Sequence, residues 1–411
     1  MSFRNNSAIW QIKDYRFLWI AGLITSSCRW LEIMSFSVIT WQWYNESSYA
    51  TGLFALRMVA LSLTGIIFSI FSNIIAGQKI MFWAQLLSAL SCLISAVCLA
   101  HTPVYGFYCL CLVSAVSGGL WSVDWSYRRR MLADSLETKL VFTGLSFDVM
   151  ANHATRFIGM ILGGFLLYNF NNSLLFIILA LAYLIATFLI VKIKDTSMTP
   201  SLEPNFLKNT KAVVKQAGKS FPILTVLLVT PIFNIFILPF VALIPLLYID
   251  KFNTNEFATG VLTSIDGLGA IFGAMIISTI IPSRSIILFF SLTAILLILL
   301  FVCTVAPTIT LLTLSIFFLG AASAAYSTLQ SSIIYTNSDK KLRSPTFSIL
   351  TITIGSGFLG GINTSWLGGF LGVPEIIKVM TVQGILAFSL IIFFLKLNFK
   401  ENFIKNIFTR K

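Results

Sequence analysis

The chain has 411 residues, of which 57% are hydrophobic and only 10% are charged, and its formal net charge is +13. Its mean hydropathy is +0.89. A water-soluble fold could not cover this much apolar surface, so the composition excludes a soluble enzyme or binding domain. It indicates a polytopic membrane protein whose surroundings are the lipid bilayer.

Apolar runs near the roughly 20 residues that a helix needs to cross a bilayer predict the number of spans. We predict an all-α membrane protein with twelve transmembrane helices, at 17–43, 50–76, 80–100, 104–127, 140–168, 173–191, 222–249, 257–281, 285–305, 308–335, 345–372 and 375–395.

Basic residues predict the orientation of these spans. The loops after odd-numbered spans, counted together with the span ends that border them, contain only Lys251 and Lys378, whereas the even-numbered loops and both termini are rich in Lys and Arg. The positive-inside rule therefore places both termini in the cytoplasm. We expect a monomeric, multi-pass protein of the cell (inner) membrane. The net charge is a topology signal and does not indicate nucleic-acid binding.

The widest gap between spans divides them six and six. We predict an N-terminal half at 1–192, a cytoplasmic linker at 193–220, a C-terminal half at 221–395 and a basic cytoplasmic tail at 396–411. Short repeats at corresponding spans support a duplication: Tyr49-Ala-Thr-Gly-Leu53 with Phe257-Ala-Thr-Gly-Val261, and Leu162-Gly-Gly-Phe-Leu166 with Leu367-Gly-Gly-Phe-Leu371.

Parallel six-helix repeats resemble the major facilitator superfamily, in which the binding site lies between the halves near mid-membrane. Within it, the sequence resembles the efflux branch that contains enterobactin-exporter-like siderophore and drug exporters. The residues that carry this resemblance are Asp14-Tyr-Arg-Phe-Leu-Trp19, Tyr127-Arg-Arg-Arg-Met-Leu-Ala-Asp134 and Asn152-His-Ala-Thr-Arg-Phe-Ile-Gly-Met-Ile-Leu-Gly-Gly164.

The sequence departs from the superfamily's motifs at two places. The acidic loop between spans 2 and 3 is replaced by Ile70-Phe-Ser-Asn-Ile-Ile-Ala-Gly-Gln-Lys79, and the proline of the span-5 antiporter signature is Met160. The resemblance therefore implies the fold more strongly than it implies an acidic latch or antiport.

Ionisable residues inside the spans are concentrated in the first half. A charge near the bilayer centre costs roughly 2.5–3.5 kcal/mol on insertion scales, so it normally faces a partner, water or cargo. The second half holds Asp266 alone; the first holds Arg29, Glu32, Arg57, Asp124, Asp148, His153 and Arg156.

Span 5 contains the strongest candidates for proton coupling. Asp148, Asn152 and Arg156 recur every four residues and form one polar stripe. Burial disfavours a charged carboxylate, which makes Asp148 a candidate proton carrier, together with His153 and, on span 1, Glu32. The alternatives are an ion pair of Asp148 with Arg156 or with an arginine on another helix, and a hydrogen-bonded packing role for His153.

Spans 1, 2, 4 and 5 supply the predicted cargo cavity. Arg29 could pair with Glu32, three residues away, or Arg29 and Arg57 could bind an anionic group of the cargo. The remaining predicted lining residues are Trp30, Trp121, Asn152 and Arg156.

Residues with a predicted gating or inter-half role lie in spans 4, 7 and 8. Asp124 could simply pair with Arg128 one turn later, and Asp266 lies among glycines at the predicted interface of the halves. Pro239 and Pro245 favour kinks in span 7. We expect no metal and no cofactor.

These patterns predict a proton-coupled secondary transporter that exports a small metabolite, such as a carboxylate siderophore or a drug, by alternating access. No nucleotide-binding loop is present, so an ion gradient or the cargo's own gradient must drive it. An importer of the same fold remains the alternative. A membrane-embedded enzyme is a distant one, because no extramembrane loop holds a His, Cys or paired-acid cluster.

Overall fold

The computed structural model describes residues 9–71, 76–99, 103–193, 206–279, 285–339 and 342–399. Part of the predicted linker and most of the predicted tail lie outside these ranges. Every regular secondary-structure element within the described ranges is a helix.

Seven helices and one π-helical turn are found among the described residues before the linker. The turn interrupts the fourth span, because Asp124–Arg128 adopts π geometry between two α-helices. The helices are α1 (Lys13–Tyr44), α2 (Ser47–Phe71), α3 (Gly77–Cys98), α4 (Pro103–Val123), α5 (Arg129–Asp134), α6 (Thr138–Asn169) and α7 (Asn172–Val191).

The described linker residues form one helix, and the second half follows it. A second π-helical turn, Phe233–Ile237, separates two of its helices. In order, the helices are α8 (Phe206–Lys219), α9 (Phe221–Ile232), α10 (Phe240–Phe252), α11 (Glu256–Thr279), α12 (Ser285–Val305), α13 (Ile309–Asn337), α14 (Arg343–Gly355), α15 (Gly357–Gly368) and α16 (Val373–Phe399).

Ten helical runs among the described residues are long and apolar enough to cross a membrane. Helices α1 and α6 are 32 residues long but are not among the ten. Their charged residues, among them Arg29 and Glu32 on α1 and Asp148 and Arg156 on α6, lower their hydropathy. The protein is thus an all-helical, multi-pass membrane protein, and the count of twelve crossings stays a prediction.

The two halves repeat the same helix pairings. In the first half α2 packs on α4, and α3 packs on α4 and α7. In the second half α11 packs on α13, and α12 packs on α13 and α16. Corresponding spans therefore have corresponding neighbours, which agrees with the duplication inferred from the short repeats.

The halves contact each other through α6 with α11, α2 with α15, and α1 with α10. We call the end of the bundle that contains the connections after Tyr44, Asn169 and Phe252 the lysine-poor end, and the opposite end the lysine-rich end. Near the lysine-poor end the backbones of Gly164 and Gly260 approach closely: a Cβ added to Gly164 would lie 2.6 Å from the Glu256 carbonyl oxygen. Glycine is what permits this approach.

Candidate functional site: buried ion pairs within and between the halves

A buried cluster of charges joins α1, the π-helical turn and α6 inside the first half. Arg128 lies at its centre, with Nε 2.5 Å from Oδ1 of Asp124 and Nη1 2.5 Å from Oδ1 of Asp148. Arg29 Nη2 lies 3.4 Å from Oδ2 of Asp124, and Arg129 Nε lies 3.3 Å from Oδ2 of Asp148. We call these five residues the Arg128 cluster.

Local structure prepares the site for the Arg128 guanidinium. The π-helical turn begins at Asp124 and ends at Arg128, and π-turns inside α-helices are frequent at functional sites. On α1, Gly22 leaves the space that the guanidinium fills, because a Cβ there would lie only 2.5 Å from Arg128 Cζ. The absence of a side chain at Gly22 is therefore part of the site.

Gly22→Ala should displace Arg128 and destabilise the first half by about 1–3 kcal/mol, as expected for overpacking a filled site. Thermal unfolding of the purified protein measures this change. Gly218→Ala is the matched control, since a Cβ at that helical glycine meets nothing within 4 Å. The control should be neutral or stabilising. Equal destabilisation by both substitutions would contradict the packing role of Gly22.

A second buried ion pair lies deeper in the first half. Arg57 Nη2 donates to Oε2 of Glu32 at 2.7 Å, and the Tyr183 hydroxyl donates to Oε1 of the same carboxylate at 2.7 Å. Arg57 Nη1 also donates to the Arg29 carbonyl oxygen at 3.3 Å. Helices α1, α2 and α7 are thereby linked through one carboxylate.

Arg57 also lines a small cavity between the halves. Its volume is about 10 Å³, which is room for about one water molecule. In this conformation Arg57 therefore contacts no cavity of cargo size at that place. The structure pairs Arg29 with Asp124 and Glu32 with Arg57, so the two α1 residues do not neutralise each other.

One ion pair crosses between the halves. Arg156 on α6 contacts Asp266 on α11 through Nη2 and Oδ2. The Arg156 guanidinium also lies over the Trp30 ring, 4.8 Å from its centroid. Trp30 contacts Trp121 edge-on, with 6.3 Å between centroids, and Arg29 lies 4.7 Å over Trp121. The aromatic pair thus joins the cross-half pair to the Arg128 cluster.

Three buried polar atoms, two of the cross-half pair and one of the adjacent Trp30, have no hydrogen-bond partner within the described residues. They are Nε1 of Trp30, Nε of Arg156 and Oδ1 of Asp266. An unpartnered polar group in an apolar interior costs about 1–3 kcal/mol, so such groups are normally satisfied by water or ligand. The site therefore offers two donors and one acceptor.

The other predicted site residues of span 5 lie within one turn of Arg156. Asn152 and His153 are both half-buried. The Asn152 carbonyl accepts a hydrogen bond from Thr155 Oγ1 at 2.9 Å. Arg156, at one end of this stripe, contacts Asp266 of the second half, while Asp148, at the other end, belongs to the Arg128 cluster.

Pro239 lies where the helix of span 7 is interrupted, beside this boundary. Pro239 has no N–H to donate to the preceding turn. The N–H of Leu238, the residue before it, donates to the Phe233 carbonyl five residues earlier, at 2.8 Å. The π-helical turn and a break between α9 and α10 result. Pro245 lies buried inside α10.

Hydrogen bonds between side chain and backbone add to the contact between the halves. Ser37 Oγ donates to the Ala242 carbonyl at 2.9 Å, and Ser365 Oγ donates to the Ser48 carbonyl at 3.0 Å. Ser62 Oγ donates to the Gly355 carbonyl at 2.9 Å. Beyond Ser62 toward the lysine-rich end, α2 exposes Leu63.

Residues 6–406 match the family model described as "Transmembrane secretion effector". The chain belongs to this family. Together with the fold, the match supports membership of the major facilitator superfamily, so the protein is a transporter and not an enzyme. No relative among the curated proteins matches the chain.

Several solved transporters share the fold of this chain. The POT family transporter PepTSo has a TM-score of 0.73 at 11% identity, covering 95% of this chain and 99% of that one. The nucleoside transporter NupG has a TM-score of 0.71 at 12% identity, covering 94% and 100%. A D-xylose–proton symporter has a TM-score of 0.69 at 14% identity, covering 92% and 96%. At such identities the similarity shows the fold alone.

Proposed function

We propose that this protein is a proton-coupled exporter of a small anionic metabolite, of the siderophore or drug class, that works by alternating access in the inner membrane. The lysine-rich end faces the cytoplasm in this proposal, in accordance with the positive-inside rule. Membership of the family supports secondary transport, whereas the direction of transport, the coupling ion and the cargo are proposed.

The observation that carries the proposal is the Arg156–Asp266 pair between the halves. Both side chains are largely buried, at 12% and 2% exposure. Rocking of one half against the other must separate them, and separating a buried pair is costly unless each charge gains another partner or a proton. A cargo anion could replace Asp266 beside Arg156, and a proton could neutralise Asp266.

Burial favours Arg156 over the other predicted arginines as the cargo contact. The side chains of Arg29 and Arg57 are 3% and 1% exposed, and both already have carboxylate partners inside the first half. Arg156 is more exposed and has an unpartnered Nε beside the unpartnered Trp30 Nε1. Guanidinium and indole N–H groups suit a carboxylate, which supports an anionic cargo.

An importer is the second candidate, because a D-xylose–proton symporter is among the proteins that share this fold. Flux of a labelled carboxylate siderophore into proteoliposomes of known orientation, with an imposed pH gradient, distinguishes the two. Export predicts cargo movement against the direction of proton flow. Accumulation in the same direction as proton flow would establish the importer, and flux without any pH dependence would remove proton coupling.

Asp148→Asn tests the proposed proton carrier in the same assay. Protonation of Asp148 would release Arg128 and Arg129 from its two oxygens, so we expect the asparagine variant to lose the pH dependence of flux while still folding. Arg128 retains Asp124 in this variant, which preserves the cluster's core.

Asp134→Asn is the matched control for Asp148→Asn. Asp134 forms an exposed pair with Arg130 at 3.8 Å, and its side chain is 52% exposed. This variant should keep wild-type coupling. Flux that keeps its pH dependence in Asp148→Asn would show that another group carries the proton: Asp266, through the pair with Arg156, or one of the other predicted residues, His153 and Glu32.

A further inference from the structure

A cavity of about 120 Å³ lies at the lysine-rich end, between the start of α3 and the end of α7. Its lining residues are Gln78, Lys79, Phe82 and Val191. The volume is far larger than the about 10–15 Å³ that one water molecule requires. The cavity lies outside the contact between the halves and away from the ion pairs described above.

The side-chain amide of Gln78, which lines this cavity, donates to carbonyl oxygens at the end of α7. Gln78 Nε2 donates to the carbonyl oxygens of Ile190 at 3.0 Å and Ile193 at 2.7 Å. The last carbonyls of a helix carry partial negative charge and would otherwise repel an anion. The amide of Gln78 donates to two of these carbonyl oxygens at the end of α7, which reduces their repulsion of a negative group.

Two cations lie near this cavity. Lys79 lines it and is exposed. Lys192, one residue beyond the lining residue Val191, is also exposed, and its ammonium lies 4.1 Å from the centroid of the Phe188 ring. Neither lysine has an ion pair within the described part of the chain. The cavity therefore has positive charge available, and none of its described lining residues is a carboxylate.

An apolar surface continues from the cavity toward the middle of the bundle. On α3, Trp83 is 59% exposed; on α7, Phe188 and Ile185 are 58% and 55% exposed. Helices α3 and α7 pack against each other, so both helices contribute to the apolar surface beside the lining residues Phe82 and Val191. An apolar surface with cations at its polar end matches a lipid, which has a head group and acyl chains, better than it matches a free anion.

We propose that this cavity holds the phosphate of an anionic phospholipid, with its acyl chains along α3 and α7. Basic pockets between transmembrane helices on the cytoplasmic side are suited to anionic head groups. The lipid would join the third and sixth spans at the surface of the first half and stabilise that half. This site is independent of the cargo site.

The test uses the full-length protein in nanodiscs that contain phosphatidylglycerol and phosphatidylcholine, with retained lipid counted by native mass spectrometry. The wild type should retain phosphatidylglycerol in preference to phosphatidylcholine. The Lys79→Gln/Lys192→Gln variant should retain it about thirtyfold more weakly, as expected for two lysines removed from an anionic head group. Lys211→Gln/Lys215→Gln is the matched control, because these lysines are exposed on α8 at the same end.

Equal retention by the Lys79/Lys192 variant and the wild type would overturn the proposal, as would equal retention of the two lipids by the wild type. Equal weakening in the α8 control would assign the effect to general surface charge and overturn it too. A thermal-unfolding titration with inorganic phosphate is a further arm: stabilisation by phosphate equal to that by phosphatidylglycerol would replace the lipid by a free anion. Monodisperse elution of every variant confirms that folding is retained.

Discussion

Arg156→Gln should abolish cargo flux and lower the free energy of unfolding by about 3–5 kcal/mol. The substitution leaves Asp266, which is 1% exposed as a residue, without its cation in an apolar interior. Flux is lost because Arg156 is both the link between the halves and the proposed contact for the cargo. Proteoliposome flux and thermal unfolding measure the two effects separately.

The double variant Arg156→Gln/Asp266→Asn separates structure from function. Removing both charges removes the uncompensated carboxylate, so stability should return while transport does not. Arg130→Gln, which breaks the exposed Arg130–Asp134 pair, is the control and should change stability by at most about 1 kcal/mol. Recovery of flux in the double variant would contradict a transport role for the pair.

Arg128→Met should destabilise the protein by about 3–5 kcal/mol, because it removes the cation between two buried carboxylates. Methionine keeps much of the volume, so the loss measures charge and hydrogen bonding more than packing. Asp124 and Asp148 would keep only Arg29 and Arg129, at 3.4 and 3.3 Å. Thermal unfolding in detergent is the measurement.

Two companion variants sharpen the Arg128 result. Arg128→Lys keeps the charge but cannot present a planar fork to both carboxylates, so an intermediate loss is expected. Arg130→Met changes an arginine two residues after Arg128, whose side chain is 35% exposed. It should leave the free energy of unfolding nearly unchanged. A neutral Arg128→Met would mean that the cluster contributes nothing to stability.

The sequence predicted the polar stripe of span 5 and its burial, but it did not predict which charges pair. Arg29 and Glu32 are three residues apart on one helix, yet each finds its partner on another: Asp124 in the π-helical turn and Arg57 on α2. The interpretation of Asp124 as a partner of Arg128 agrees with the structure. So does the alternative that Asp148 pairs with an arginine from another helix.

Some site residues carried no usable sequence signal. Gly22 looks like any glycine of a transmembrane helix until the Arg128 guanidinium is seen against it. Tyr183 lies in a uniformly apolar span, and only its hydrogen bond to Glu32 distinguishes it. Pro239 did carry a signal, since a missing N–H favours a break in a helix, and the π-helical turn lies just before it. The same signal at Pro245 marks no break, because that residue lies inside α10.

The sequence by itself determined that this is a helical membrane protein with two similar halves and costly charges concentrated in the first. Hydropathy and the period of a helix are local properties, so composition and spacing carry them. Only the tertiary structure decided that Arg128 holds two carboxylates and that Arg156 reaches Asp266 across the halves. The contacts of Arg128 with Asp148 and of Arg156 with Asp266 join different helices, so their geometry depends on how the helices pack.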